Sequence, residues 1–180
     1  ATGGANQPAS RACRRVVARL GEAAIAIQDP PMGTGHAVLC AREALNGFDG
    51  QVVITYGDVP LLKAHDIAPV FEAADALSVI GFEARDPGAY GRLVIEGGEL
   101  TAITEAKEAS AEVLAIRTCN SGVMSAPARV LFDLLDKVGN DNAKGEYYLT
   151  DLVALARAED MTCKAVRCCR ALSGHTSTRR

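Results

Sequence analysis

Residues Gln51 to Tyr56 read Gln-Val-Val-Ile-Thr-Tyr and run directly into Gly57-Asp58-Val59-Pro60. A short, unbroken apolar run that Gly and Pro stop abruptly is the pattern of a strand covered on both faces, as in a parallel sheet. It delivers a single carboxylate, Asp58, at its carboxyl tip. A second run, Ala76 to Phe82, has the same character, and helical patterns lie between the strands. Strand–helix alternation predicts an α/β layer fold, with a mainly parallel sheet and helices on both faces. Ligands of such sheets bind beyond the carboxyl ends of the strands. That rule singles out the loops after Gln28, after Tyr56 and near Asn120.

The coarse reading places a helix from Ser10 to Leu20, a short strand over Ala24 to Gln28, and a helix from about His36 to Leu45. Another helix is expected from Asp66 to Asp75. Arg92 to Glu96 and Leu100 to Glu105 flank Gly97-Gly98, which predicts a small hairpin insertion. Val113 to Arg117 and Gly122 to Ser125 read as extended. Ala126 to Val138 carries Leu131, Leu134, Leu135 and Val138 on one helical face. Thr150 is placed to cap a helix to Ala158, and Thr162 to Cys168 reads as a last strand. The polar residues 171–180 are expected to form a disordered tail behind one domain over 1–170.

Composition narrows the function classes. A chain of 180 residues with 48% hydrophobic content is one domain by length and can bury about 70% of its unfolded surface. A net charge of −3, with acids and bases mixed, argues against nucleic acid as partner. The six cysteines (Cys13, Cys40, Cys119, Cys163, Cys168, Cys169) show no C-x-x-C spacing, so reduced, mostly buried thiols are expected rather than zinc ligands. No apolar run reaches the 18 or so residues of a membrane span, and no signal peptide is visible, so the expected location is the cytoplasm. The chain opens on Ala1 rather than Met, which suggests a segment of a longer protein.

Several short segments could carry chemistry. Asp58 suits a hard dication such as Mg²⁺, which takes one or two carboxylates plus phosphate oxygens, and Gly57 beside it leaves room for a ligand. The plain alternative is an Asp that opens the next turn. Gly33-Thr34-Gly35 precedes a helix, and its glycines allow close backbone approach to a ring or phosphate. Val38 stands where a dinucleotide fingerprint needs its third Gly, which disfavours a nicotinamide oxidoreductase. Glu105 ends a strand, where it could accept hydrogen bonds from sugar hydroxyls, and Lys107 could neutralise a phosphate. Tyr147 and Tyr148 sit together in a chain with only 4% aromatics, which suggests a packed wall with polar tips.

Taken in order, GTGHAV (33–38), YGDVPLL (56–62), YGR (90–92), ITEAKEAS (103–110), NSGVM (120–124) and NDNAKGEYYLTDLVALA (140–156) resemble a known family. It is the N-acetylglucosamine-1-phosphate uridyltransferase domain of the bacterial bifunctional enzyme that makes UDP-N-acetylglucosamine. The resemblance runs from about Gln28 to about Ala158. It implies a Rossmann-like nucleotidyltransferase fold, Mg²⁺ as cofactor, and UTP and N-acetylglucosamine 1-phosphate as substrates. It also implies roles residue by residue. Gln28, Gly33 and Thr34 match residues that read uracil, and Asp58 matches a Mg²⁺ ligand. Gly91, Glu105 and Asn120 match contacts to the amino sugar. Tyr56 and Tyr148 to Thr150 match positions lining the sugar pocket.

The chain also departs from that family. Nothing before Arg14 resembles the family's glycine-rich loop with its Arg and Lys. The ending, CRALSGHTSTRR, lacks the Val-Asn segment that supplies a second metal ligand, and Ser121 replaces a Thr. The β-helix acetyltransferase domain, through which the family trimerises, has no counterpart here. The expectation is therefore a partial uridyltransferase domain. The alternatives are a sugar-1-phosphate nucleotidyltransferase with another base or sugar, or an inactive nucleotide-binding fragment.

Overall fold

The computed structural model describes residues 24–56, 63–71, 76–142 and 144–167. The expected helix from Ser10, the Gly57–Pro60 loop with Asp58, and the expected tail lie outside these residues. The described order is α1 (Thr34–Leu39), β1 (Gln51–Ile54), α2 (Ala64–Phe71), β2 (Leu77–Glu83), β3 (Arg92–Glu96), β4 (Glu99–Thr104), α3 (Ala111–Leu114), β5 (Thr118–Pro127), α4 (Ala128–Leu135), α5 (Asp151–Ala158) and β6 (Cys163–Arg167). A 3-10 turn, Glu43–Leu45, follows α1.

The sheet runs β4-β3-β5-β2-β6, with β1 paired to β5 beside that path. Strand β2 lies between β5 and β6, and its residues Leu77 to Phe82 are all buried. Leu77 and Val79 join a core with Leu131, Leu134 and Leu135 of α4 and Leu152, Val153 and Ala156 of α5. Ile80 points the other way, into a cluster with Val70 of α2, Val123 and the flanking Ile67. Period-2 alternation thus feeds one strand into two helical layers. Each fully buried Leu contributes about 1.5–3 kcal/mol.

The layered α/β architecture with helices on both faces is the one expected. The predominance of parallel pairing is not: among the described strands β2 and β6 pair in parallel, whereas β1–β5, β2–β5, β3–β4 and β3–β5 are antiparallel. Strand β5 runs against its neighbours on both sides. An apolar run reports burial and is silent about the direction of its partner. Strand β1 likewise differs from expectation, since all four of its residues are only half-buried.

Other boundaries shift for local reasons. Residues 24–28 form no strand. Helix α1 stops at Leu39 instead of running to Leu45. Residues Ala111–Leu114 are helical rather than extended, because the Ser110 hydroxyl accepts from Val113 N at 3.3 Å and starts a turn. Thr150 occupies the N-cap position of α5, but its side chain makes no capping bond.

The hairpin β3–β4 forms as predicted around Gly97-Gly98. It joins β5 through one register pair, Arg92 with Cys119. Leu93 then crosses the face of β2, and its Cδ1 lies only 2.6 Å from where a Cβ on Gly81 would stand. The far strand docks on α5 through buried Leu100 and an ion pair of Glu99 with Arg157.

Candidate active site

One edge of β5 is shared by two strands. Its C-terminal half pairs with β1, up to Ile54 opposite Met124. Its N-terminal end pairs with β3, where Arg92 is opposite Cys119. Strands β1 and β3 run in the same direction, so the carboxyl end of β1 faces the start of β3 across Asn120, Ser121 and Gly122. Sheets of this kind hold ligands in such a gap.

Four predicted residues, Tyr56, Gly91, Glu105 and Asn120, meet there. Gly122 has φ +80°, and a Cβ on it would fall 2.5 Å from Cδ2 of Tyr56, so only glycine admits that ring. Asn120 N donates to Gly91 O at 2.8 Å, which continues the ladder by one residue. Asn120 Oδ1 accepts from Gly122 N at 2.9 Å, and its Nδ2 has no partner among the described residues. Gly91 opens onto Glu105, whose Oε1 is 3.5 Å from the position of a Gly91 Cβ. The guanidinium of buried Arg92 donates to Tyr90 O, and to Gly88 O at 3.1 Å, and so shapes the turn that delivers Gly91.

The second cluster joins two distant segments. Gln28 Nε2 donates to Gly33 O at 2.9 Å and lies 3.1 Å from Nδ1 of His36. Tyr147 N donates to Met32 O, and Gly35 N to Tyr147 O, each at 2.8 Å. Leu149 N donates to the Thr34 hydroxyl at 2.9 Å. The turn that holds Gly33 is thereby fastened to the Tyr147–Leu149 wall. Arg42 anchors the segment after α1 on α4, reaching Asp136 at 2.7 Å with its guanidinium over the Phe132 ring.

Electrostatics concentrate where the β4 end meets the α5 start. Burial pushes the Glu105 carboxyl above its ordinary range, Glu108 adds to the rise, Lys144 opposes it, and Asp151 adds a smaller push. Asp151 is raised by burial and then by Glu108. Three carboxyls thus share one region with one ammonium, an arrangement that favours a ligand rich in hydroxyl or amide donors. The free thiols of Cys119 and Cys163 are buried, and burial pushes the latter up to about 11.

The structure therefore brings Gln28, Gly33 and Thr34 together with the Tyr148–Thr150 segment, and Tyr56, Gly91, Glu105 and Asn120 around the β5 gap. Gly57 and Asp58 lie outside the described residues, which contain no cluster of three or more His, Cys, Asp or Glu able to hold a metal. Sequence reasoning gave no role to Asn142, Lys144 or Arg92. An Asn three residues before a Gly was a legible turn signal. Burial of Arg92 was not legible, because arginine is usually exposed.

No family model matches the chain. A crystal structure assigned as a glucose-1-phosphate thymidylyltransferase from Bacillus anthracis, in complex with a sucrose, superposes with a TM-score of 0.59. It is 18% identical, over 78% of this chain and 54% of that one, and the two share the same layered α/β fold. Among curated relatives, the bifunctional protein GlmU of Hyphomonas neptunium is 54% identical over 167 residues, covering 88% of this chain and 35% of its own length. GlmU of a Ruegeria species is 54% identical over 149 residues, covering 82% of this chain and 33% of that protein. GlmU of Maricaulis maris is 54% identical over 145 residues, 78% of this chain and 32% of that protein. The chain thus spans about a third of the length of these relatives. Over the segment it shares with them, the chain belongs to the bifunctional GlmU family.

Proposed function

We propose that this chain is the uridine- and sugar-reading part of a nucleotidyltransferase that converts UTP and N-acetylglucosamine 1-phosphate into UDP-N-acetylglucosamine and pyrophosphate. The observation that carries the reading is the gap in the β5 edge. Tyr56, Gly91 and Asn120 converge there, beside a raised Glu105.

In this reading the unpartnered Nδ2 of Asn120 and the carboxylate of Glu105 meet the amide and hydroxyls of the sugar. Tyr56, Tyr148 and Thr150 wall that pocket, and Gly57 follows Tyr56 in the chain. Gln28 spends its Nε2 on Gly33 O, which leaves its Oε1 to accept from the ring N–H of uracil. Gly33 and Thr34 hold the turn against which the base lies. A phosphate oxygen of the sugar forms a bond to the α-phosphorus of UTP, and the bond to the bridging oxygen of the β-phosphate breaks. The electron pair leaves with pyrophosphate. The nucleophile is already an anion, so positioning and charge neutralisation supply the rate and no general base is needed.

Asp58, two residues beyond Tyr56, is the proposed Mg²⁺ ligand. A lone carboxylate with substrate phosphates is a donor set that this cation accepts. Bound there, the ion supplies Lewis-acid charge neutralisation on phosphate oxygens. The domain is taken to extend over 1–170, in a cytoplasmic protein, and the buried free thiols support a reducing compartment.

The test is pyrophosphate release from the 180-residue chain with both substrates and Mg²⁺. Turnover that EDTA abolishes, and that Asp58→Asn lowers by roughly two orders of magnitude or more, is expected, since removing one strong electrostatic contact to a transition state typically costs that much. Panels of other triphosphates and sugar phosphates fix base and sugar. Binding of UDP-N-acetylglucosamine without turnover identifies a binding fragment, and absence of both refutes the proposal.

A further inference from the structure

Asn142 is half-buried in the loop before the Tyr147–Leu149 wall. Its Oδ1 accepts from Lys144 N and from Glu146 N, both at 3.2 Å. Its Nδ2 donates to Glu146 O at 2.5 Å, and its own carbonyl accepts from Gly145 N at 3.0 Å. One side chain therefore satisfies three backbone groups and closes the loop into a ring. The loop delivers two things. Tyr147, next in the chain after Glu146, is the residue whose backbone pairs with Met32 and Gly35. Lys144, inside the ring, is the ammonium that lowers the Glu105 carboxyl.

Those three bonds shape the loop that leads into Tyr147, whose own backbone is bonded to Met32 and Gly35. The carbonyl and amide of Tyr147 occupy the space into which a Gly33 side chain would project, at 2.6 and 2.8 Å. Any drift of Tyr147 is therefore felt at once by the turn of Gly33 and Thr34.

We propose that Asn142 is a positioning residue for the site, the clasp that fixes the 144–149 wall against the 32–35 turn. Asn142 acts through Tyr147 and the wall that follows it. The inference rests on the functional reading above and deepens it, because it makes nucleobase recognition depend on one side chain.

The experiment compares the wild-type chain with Asn142→Ala and Asn142→Asp. Calorimetric titration with UMP reports the base side, and titration with UDP-N-acetylglucosamine reports both sides. Amide hydrogen exchange reports the loop. In Asn142→Ala both dissociation constants rise by about tenfold, the scale of one or two lost hydrogen bonds. Exchange quickens at the amides of Tyr147, Gly35 and Leu149, while Val79 in the core keeps its protection. Asn142→Asp keeps both acceptor bonds and loses the donor, so it recovers part of the affinity.

Unchanged exchange at Tyr147 and Gly35 in Asn142→Ala overturns the proposal. So does wild-type affinity for either ligand despite faster exchange. Loss of protection at Val79 to the same degree as at Tyr147 overturns it as well, since that reports general destabilisation. A wild-type chain that binds neither ligand defeats the functional reading and the inference together, whereas a binding wild type with an equally binding Asn142→Ala defeats the inference alone.

Discussion

Substituting Gly33 with alanine probes the contact on which the site is built. Gly33 sits at φ 103° and ψ 175°, a region that only glycine occupies comfortably. Forcing alanine into it costs about 1–3 kcal/mol. The new Cβ would also stand 2.6 Å from Tyr147 O, 2.8 Å from Tyr147 N and 3.0 Å from Glu146 Cβ. Two of these neighbours are backbone and cannot rotate away, so the wall must retreat. Retreat strains the Tyr147–Met32 and Gly35–Tyr147 bonds, each contributing about 0.5–1.5 kcal/mol. The combined local penalty is about 2–6 kcal/mol. It falls mainly on opening of the two loops, so the global unfolding midpoint in urea moves less than this figure implies. Affinity for UDP-N-acetylglucosamine takes the larger share, and a drop of about 30-fold or more corresponds to the lower bound. Gly47→Ala is the control: Gly47 has φ 77° and no atom within 4 Å of a built Cβ. It isolates backbone strain from collision and leaves binding unchanged. Titration calorimetry on both variants, with urea melts alongside, decides the matter. Gly33→Ala binding within about threefold of wild type, less than 1 kcal/mol, would refute the reasoning.

Two further outcomes follow from the charges around the gap. The carboxyls of Glu105 and Asp151 are raised in the folded state, so their contribution to stability is greatest at pH below the unfolded value, about 4, and is lost as pH climbs through the raised folded values. Glu105→Gln therefore melts above wild type at neutral pH, with the advantage shrinking towards pH 4, while sugar affinity falls; an equal melting difference at both pH values contradicts this. Arg92→Lys keeps the charge but cannot span Tyr90 O and Gly88 O together, so it loses about 1.5–3 kcal/mol of stability in urea melts and weakens the sugar side through Gly91. An Arg92→Lys protein as stable as wild type would deny the guanidinium its role in shaping that turn.

Most of what forms the layers was readable from local chemistry. The apolar run of β2, the Gly97-Gly98 turn and the one-sided leucines of α4 are periodic or steric signals, and all three appear where expected. The short helix at Ala111–Leu114 was missed because Val113 to Arg117 read as extended, while the Ser110 cap decided otherwise. The clustering of motifs was foreshadowed only by their resemblance to known uridyltransferases. From residue patterns alone, Gly33 and Tyr148 are separate, unremarkable features.

What the sequence determined by itself was which segments could be strands or helices, and which side chains could serve a nucleotide or a sugar. These depend on neighbours a few positions apart. Only the tertiary structure decided that β5 runs against the strands beside it, that one of its edges is divided between β1 and β3, and that Tyr147 closes on Gly33 more than a hundred residues away. Strand direction and long-range closure are properties of the assembled core, where burying β2 on both faces outweighs any local preference about which strand lies alongside which. The gap proposed as the site is a by-product of that packing, and no stretch of sequence encodes it alone.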